Sequence, residues 1–377
     1  MNVPFLDLAA QDREVGREVQ AAVAEVLASH AFVLGPHVER FEAAMAAYCG
    51  VPHAIGVASG TDALFLALGA LGVGPGVSVL TTPFSFWATA STVVRLGARP
   101  LFADIDPATF NLDPAAAEAT LAATRERVVG LLPVHLFGRL APMRALGALA
   151  ERHGLWVVED AAQAVGARAD GVRGGAFGRA GCLSFYPTKN LGGLGDGGMV
   201  LTGDTALAAR VRQERHQGHS ATPYVHASLG LCSRLDAVQA AALGVKLPRL
   251  DGWNARRRAI AERYGRLFAE AGLTGRPDAP LVLPAPAGEA HVFHQYVVRA
   301  RDRDALQARL ATVGIGAQVY YPLPLHLQPP LAALGFRRGA FPEAERAAAE
   351  VLALPIYPAL DDRAVDTVVE AVAAFYG

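Results

Sequence analysis

One residue type is conspicuously scarce in this chain. Of 34 basic residues only Lys189 and Lys246 are lysines, and the other 32 are arginines. A guanidinium stays protonated at any ordinary pH, so arginine serves charge and ion pairing but cannot act as an amine nucleophile. Lys189 sits inside a stretch of small residues, Gly181–Thr202, GCLSFYPTKNLGGLGDGGMVLT. A lysine retained there suggests a need for a primary amine, whose main use is a Schiff base with a carbonyl compound. The stretch alone does not separate that reading from a lysine left on a surface loop.

Three further segments bear on the choice. Ser59-Gly60-Thr61-Asp62 lies between an apolar run and a helical one. Free backbone N–H groups at such a helix start favour an anion, and the Thr61 hydroxyl can donate to a phosphate oxygen. The same residues are also ordinary N-caps. In Val157-Val158-Glu159-Asp160-Ala161-Ala162-Gln163, two acids close an apolar strand. A carboxylate there could keep a pyridinium nitrogen protonated, with Gln163 reaching a ring substituent, or Asp160 could simply cap the next helix. Gly193–Gly198 matches G-x-G-x-x-G literally but precedes an apolar strand and opens no helix, so it fails as a dinucleotide fingerprint. His216 and His219, with Glu214, have no third ligand nearby and read as solvated residues, so no metal is expected. Together, a phosphate-type helix start, an acid for a ring nitrogen and an isolated lysine, in that order, fit the chemistry of pyridoxal 5'-phosphate (PLP).

The elements that must position these residues alternate. Helical spacing over 11–29 and around Val38, Phe41, Met45 and Tyr48 gives way to short apolar strands at His53–Ala58, Val77–Leu80, Arg99–Ala103, Val128–Pro133, Leu155–Glu159, Cys182–Phe185 and Met199–Thr202. Helices are expected at Ala63–Leu71, Phe84–Leu96 and Pro142–His153, which makes the fold α/β with a mostly parallel sheet covered on both faces. Ligands in such sheets sit beyond the carboxyl ends of the strands. After Leu235 comes a long helical stretch, Asp236–Ala269, interrupted near Pro248. Then follow a strand at Phe293–Arg299, a helix at Asp302–Val313, a strand near Ala317–Tyr320, and helices at Pro342–Ala353 and Asp362–Phe375. Two domains are expected, 1–250 and a smaller α+β unit, 251–377; 377 residues exceed the usual single core. A net charge of −1 with mixed signs argues against nucleic acid as a partner, and no apolar run of membrane-spanning length occurs. Three scattered cysteines and an N-terminus without a signal-like pattern point to the cytoplasm.

The chain resembles the PLP-dependent sugar-nucleotide aminotransferases of the DegT/DnrJ/EryC/StrS type, of fold type I. The segments that carry the resemblance span almost its whole length: VPFLDL, ASGTDALFLALGALGVGPG, FADIDPATFNLDP, PVHLFG, VVEDAAQAVGA, SFYPTKNLGGLGDGG, SRLDAVQAAALGVKL, HQYVVR, YYPLPLHLQP and LALPIYP. The resemblance implies a large domain with a mostly parallel seven-stranded sheet and a smaller C-terminal domain. It implies that Lys189 forms the Schiff base and shuttles a proton, that Asp160 pairs with the ring nitrogen, and that Gln163 contacts the ring hydroxyl. Gly60, Thr61 and Ser184 would hold the phosphate. Phe86 would stack on the ring, with Trp87 as the alternative one residue on, and Tyr321 and His326 would approach the sugar nucleotide. Relatives place an asparagine, donated across a dimer interface, where this chain has Cys232, and a thiol is a weak donor. A homodimer with shared active sites, L-glutamate as amino donor, and a keto carbon of a dTDP- or UDP-linked deoxy sugar are implied as well. C3 is favoured over C4. A dehydratase on the same scaffold and a PLP-binding regulator without turnover are the alternatives, and a lysine at 189, where dehydratases of the family carry histidine, favours transamination.

Overall fold

The computed structural model describes residues 2–377. Its strands, in chain order, are β1 (His53–Val57), β2 (Ser78–Thr81), β3 (Arg99–Phe102), β4 (Val128–Leu132), β5 (Trp156–Asp160), β6 (Arg168–Ala169), β7 (Val172–Arg173), β8 (Ala180–Ser184), β9 (Gly198–Thr202), β10 (Leu281–Val282), β11 (Tyr296–Ala300) and β12 (Val351–Leu354). Seven of them form the central sheet in the order β1-β9-β8-β5-β4-β2-β3. Only β9 runs against its neighbours, β1 and β8; the other pairings are parallel. Strands buried on both faces explain why these segments read as short continuous apolar runs.

Local chemistry sets the helices. Asp7 caps Leu8–Ser29 by accepting from the Ala10 N–H at 3.0 Å. Pro36 opens Pro36–Cys49, whose buried face is Val38, Phe41, Met45 and Cys49, and Gly50 ends it at φ 72°. The expected break at Pro248 is real: a helix over Ala237–Lys246 and a 3₁₀ turn over Leu247–Arg249 precede Leu250–Glu270. That last helix links two cores. Leu250 packs under the central sheet, whereas Ile260, Tyr264 and Phe268 pack with β11, β12 and the helix Asp362–Tyr376. We propose the two-domain division on these two cores. Val3 departs from a boundary drawn at 250, because it bridges to Ile315 and lies buried in the second core.

Three expected elements differ. Phe84–Trp87 is a loop and the helix begins at Ala88, which frees Phe86 to face outward. The helix expected over Pro342–Ala353 stops at Glu350. Val351–Leu354 instead pairs with β11 as a fully buried strand, and that pairing outweighs helical continuation from the preceding alanines. Near 317–320 there is a single bridge, Gln318 to Ala353, and no strand.

Candidate active site

Strand β5 presents its two terminal acids to opposite faces of the sheet, as the alternation of a strand requires. Glu159 accepts from the N–H groups of Gly175, Phe177 and Gly178 at 2.7–2.8 Å and pairs with His135 Nε2 at 2.8 Å. The Ala141 N–H donates to His135 Nδ1, so Nε2 carries the proton toward Glu159. Asp160 faces the other way, into a cavity of about 500 Å³ beyond the strand's carboxyl end. Its Oδ2 accepts from Thr89 Oγ1 at 2.8 Å, and Oδ1 accepts from the Ala162 N–H at 3.3 Å. Thr89 spends its proton on Asp160, so Ser85 must donate to Thr89 across their 2.8 Å contact. Burial pushes the Asp160 carboxyl above its usual range, while Thr89, the Ala162 N–H and Lys189 act to hold it down.

Lys189 lines the same cavity. Burial brings its ammonium down to about 8, and the Asp160 carboxylate opposes that shift. An amine with that proton affinity is partly neutral near pH 7, so it can attack a carbonyl carbon and can also carry a proton. The turn that holds it is built from backbone: the Lys189 N–H donates to Tyr186 O, and a Cβ on Gly192 would meet Pro187 O at 2.2 Å. The other lysine serves this segment too. Lys246 is buried and donates to Gly192 O at 2.8 Å, and Gln239, seven residues earlier on the same helix, accepts from the Leu194 N–H at 2.7 Å.

The remaining expected residues divide. Gly60, Thr61, Phe86, Gln163, Ser184 and Tyr321 all line the cavity. Gly60 opens the helix Gly60–Ala70 against Ser184, where a Cβ would lie 2.7 Å from the serine Cβ. Ser59 caps that helix by accepting from the Asp62 N–H at 3.1 Å, so ordinary capping and a place in the cavity wall coincide. Gln163 accepts from the Phe137 N–H at 2.6 Å and donates to Tyr321 OH at 3.0 Å. Phe86 is exposed and its ring lies 6.3 Å from that of Tyr321, whereas Trp87 packs with Ala90, Phe102, Leu325 and Leu331. The structure therefore favours Phe86 over Trp87 for the cavity. His326 is not brought to it: the imidazole is buried, 3.1 Å from Glu345 Oε1 and edge-on to Phe341. It lies buried in the turn Leu325–Leu327. The rings of His216 and His219 lie tilted and those of His219 and His226 edge-to-face, at 4.5 Å each, and no metal-holding cluster occurs among the described residues. Cys232 is exposed beside Arg234, whose guanidinium donates to Sγ at 2.9 Å and to His216 Nδ1 at 2.8 Å.

Comparison with known proteins places this geometry. The model of the DegT/DnrJ/EryC1/StrS aminotransferase family matches residues 13–373. The chain belongs to that family. It is 50% identical to a pleiotropic regulatory protein of Geobacillus stearothermophilus over 100% of this chain and 99% of that one. It is 45% identical to a dTDP-3-amino-3,4,6-trideoxy-α-D-glucose transaminase of Streptomyces venezuelae, over 98% and 95% of the two chains. Among solved structures, S. venezuelae DesV in complex with a ketimine intermediate superposes with a TM-score of 0.93 at 45% identity, covering 99% of this chain and 98% of that one.

The DegT/DnrJ/EryC1/StrS aminotransferases use PLP, and the donor set here fits that group. The Gly60–Ser184 contact leaves a side-chain-free cradle at a helix start, and the Thr61 hydroxyl has no partner among the described residues. Asp160 offers a carboxyl acceptor in the same cavity, and Lys189 the amine. Several polar cavity residues escaped the sequence reading, among them Ser85, Tyr186, Thr188, Asp196, Tyr320 and the pair His294 and Gln295. The only signal of His294 and Gln295 was a polar pair at the head of an apolar strand, HQYVVR, which reads equally as a strand boundary.

Proposed function

We propose that this chain transfers an amino group from L-glutamate to the C3 keto carbon of a dTDP- or UDP-linked deoxy sugar, as a homodimer in the cytoplasm. One observation carries the reading: Lys189 and Asp160 share a single cavity with a phosphate-type cradle formed by Gly60, Thr61 and Ser184. When bound, PLP supplies an electron sink for negative charge developing at the donor's α-carbon. Asp160 would hold a proton on the ring nitrogen through its remaining lone pairs, while Thr89 and the Ala162 N–H fix the direction of its oxygens. Gln163 Nε2 has one hydrogen beyond that given to Tyr321, available to the ring hydroxyl. Phe86, exposed on the cavity wall, would cover one face of the ring. Lys189 Nζ, its proton affinity lowered to about 8 by burial, would accept the proton from the donor's α-carbon and later deliver one to the sugar carbon that receives nitrogen.

The C3 position follows the name of the S. venezuelae relative, whose product carries its nitrogen at C3. The dimer is supported by an exposed apolar groove between helix Leu8–Ser29 and the segment after Lys189, where Leu27 and Leu194 stand in solvent. A relative with a regulatory name leaves a binding-only role as the second reading; the amine–carboxylate pair in the cavity favours turnover. The test is a panel of dTDP- and UDP-3-keto and 4-keto sugars with glutamate, glutamine and aspartate as donors, with the product nitrogen located by NMR. Nitrogen at C3 from glutamate is expected. Binding of the sugars without any amino product would leave the regulator reading.

A further inference from the structure

We propose that His294 and Gln295 form a neutral hydrogen-bonding subsite for hydroxyl groups on the hexose ring, and so determine which sugar the cavity accepts. The proposal rests on the sugar-nucleotide reading above. The two residues stand side by side just ahead of β11, both are about nine-tenths buried or more, and both line the cavity that holds Lys189. Their side chains make no hydrogen bond to any described residue. His294 Nδ1 and Gln295 Oε1 are enclosed without a hydrogen-bond partner among the described residues. Buried polar groups are almost always satisfied, so an adjacent unpaired imidazole and amide on a cavity wall call for a ligand that satisfies them.

Their backbone is held firmly. Arg257, buried and lacking a carboxylate partner, donates to the carbonyls of Phe293, His294 and Ile356 at 2.9–3.4 Å. The Gln295 N–H donates to Phe137 O at 3.3 Å. Phe137 and Phe293 adopt left-handed backbone at φ 58° and 44°, and a Cβ on Gly138 would lie 2.8 Å from the His294 nitrogen. Strained residues packed this closely are what a preorganised binding wall requires.

The chemistry of the pair selects its ligand. Burial, with Lys189 and Arg257 nearby, holds the His294 imidazole well below its ordinary proton affinity, so it presents one donor and one acceptor. Gln295 adds two donors and one acceptor. A carboxylate or phosphate brings acceptors alone and would leave both acceptors of the pair without a donor. A hydroxyl donates and accepts, and two on one ring match the pair. Since the keto carbon must come within reach of Lys189, the hydroxyls read are those on ring carbons flanking it.

Calorimetry on the PLP-loaded full-length protein tests this without turnover, using dTDP against dTDP-glucose and UDP against UDP-glucose. Wild type is expected to bind one nucleotide-glucose about tenfold or more tightly than the bare diphosphate. Gln295→Leu and His294→Phe are expected to lose that increment while binding the diphosphate within about twofold of wild type. Gln295→Asn, which keeps the amide but withdraws it, carries the same expectation if Gln295→Leu does not fold. An increment that is absent in wild type, or retained in the variants, overturns the subsite. So does an equal loss of diphosphate and nucleotide-sugar binding. Wild type that binds neither diphosphate nor nucleotide-sugar overturns the sugar-nucleotide reading itself.

Discussion

Glu159 and Asp160 are consecutive, both acidic and both buried, yet they belong to different regions with opposite logic. Behind the sheet, Glu159 has four donors converging on two oxygens, three backbone N–H groups and His135. That side is finished; every lone pair points at something fixed. On the cavity side, Asp160 has two donors and space in front of it, Lys189 has no side-chain partner among the described residues, and His294 and Gln295 hold orphaned atoms. Burial alone therefore does not mark function. What sets the cavity side apart is unmet hydrogen-bonding capacity gathered around one open space, next to an amine and a carboxylate.

The contrast can be broken by paired substitutions. Asp160→Asn should bind PLP and fold normally but lose on the order of 10²–10³-fold in the rate of the glutamate half-reaction, measured by stopped-flow absorbance. Near-normal rate in that variant would remove Asp160 from the chemistry. Glu159→Gln should do the reverse. It turns an NH₂ toward groups that already donate, and should cost about 3–5 kcal/mol of stability by denaturant unfolding while the folded fraction keeps its rate. A rate loss with stability unchanged would place Glu159 on the functional side.

The two lysines extend the comparison with smaller effects. In apoenzyme, Lys189 has its proton affinity depressed by burial, from 10.5 to about 8. A depressed amine is penalised while protonated, so its contribution to stability improves as pH rises from about 8 toward the unfolded value. By the same sign, capture of PLP should quicken about tenfold per pH unit below 8 and level off above it, followed by absorbance. A midpoint near 10 would show an ordinary surface amine. Lys246→Met should leave Gly192 O unpaired, cost about 1–3 kcal/mol, and lower turnover modestly by loosening the segment behind Lys189. Lys246→Arg, with its planar fork, should not restore it.

Much of this was legible in the residues. Lys189 stood out by scarcity, and the strand alternation placed Asp160 and Gly60 at strand ends where ligands gather. What was not legible depended on partners elsewhere in the chain. Nothing in Glu159-Asp160 says which acid faces the cavity, because that phase is set by Val158 packing on one core and Val157 on another. Gln163 meets Tyr321 across 158 positions of sequence. His326 looked available for substrate until Glu345 and Phe341, distant by 19 and 15 positions, closed around it. Val351–Leu354 read as more helix because its strand partner, β11, lies some fifty residues earlier.

The most direct test of the account concerns Lys189 itself. PLP added to the apoenzyme should give a bound-cofactor absorbance band distinct from free PLP, which borohydride fixes covalently at residue 189, as read by peptide mass. Glutamate should bleach that band, and a nucleotide-linked 3-keto sugar should restore it. In Lys189→Ala no covalent adduct should form. A covalent adduct in Lys189→Ala, or a wild-type band that glutamate leaves untouched, would contradict the assignment of this lysine as the amine at which transamination is carried out.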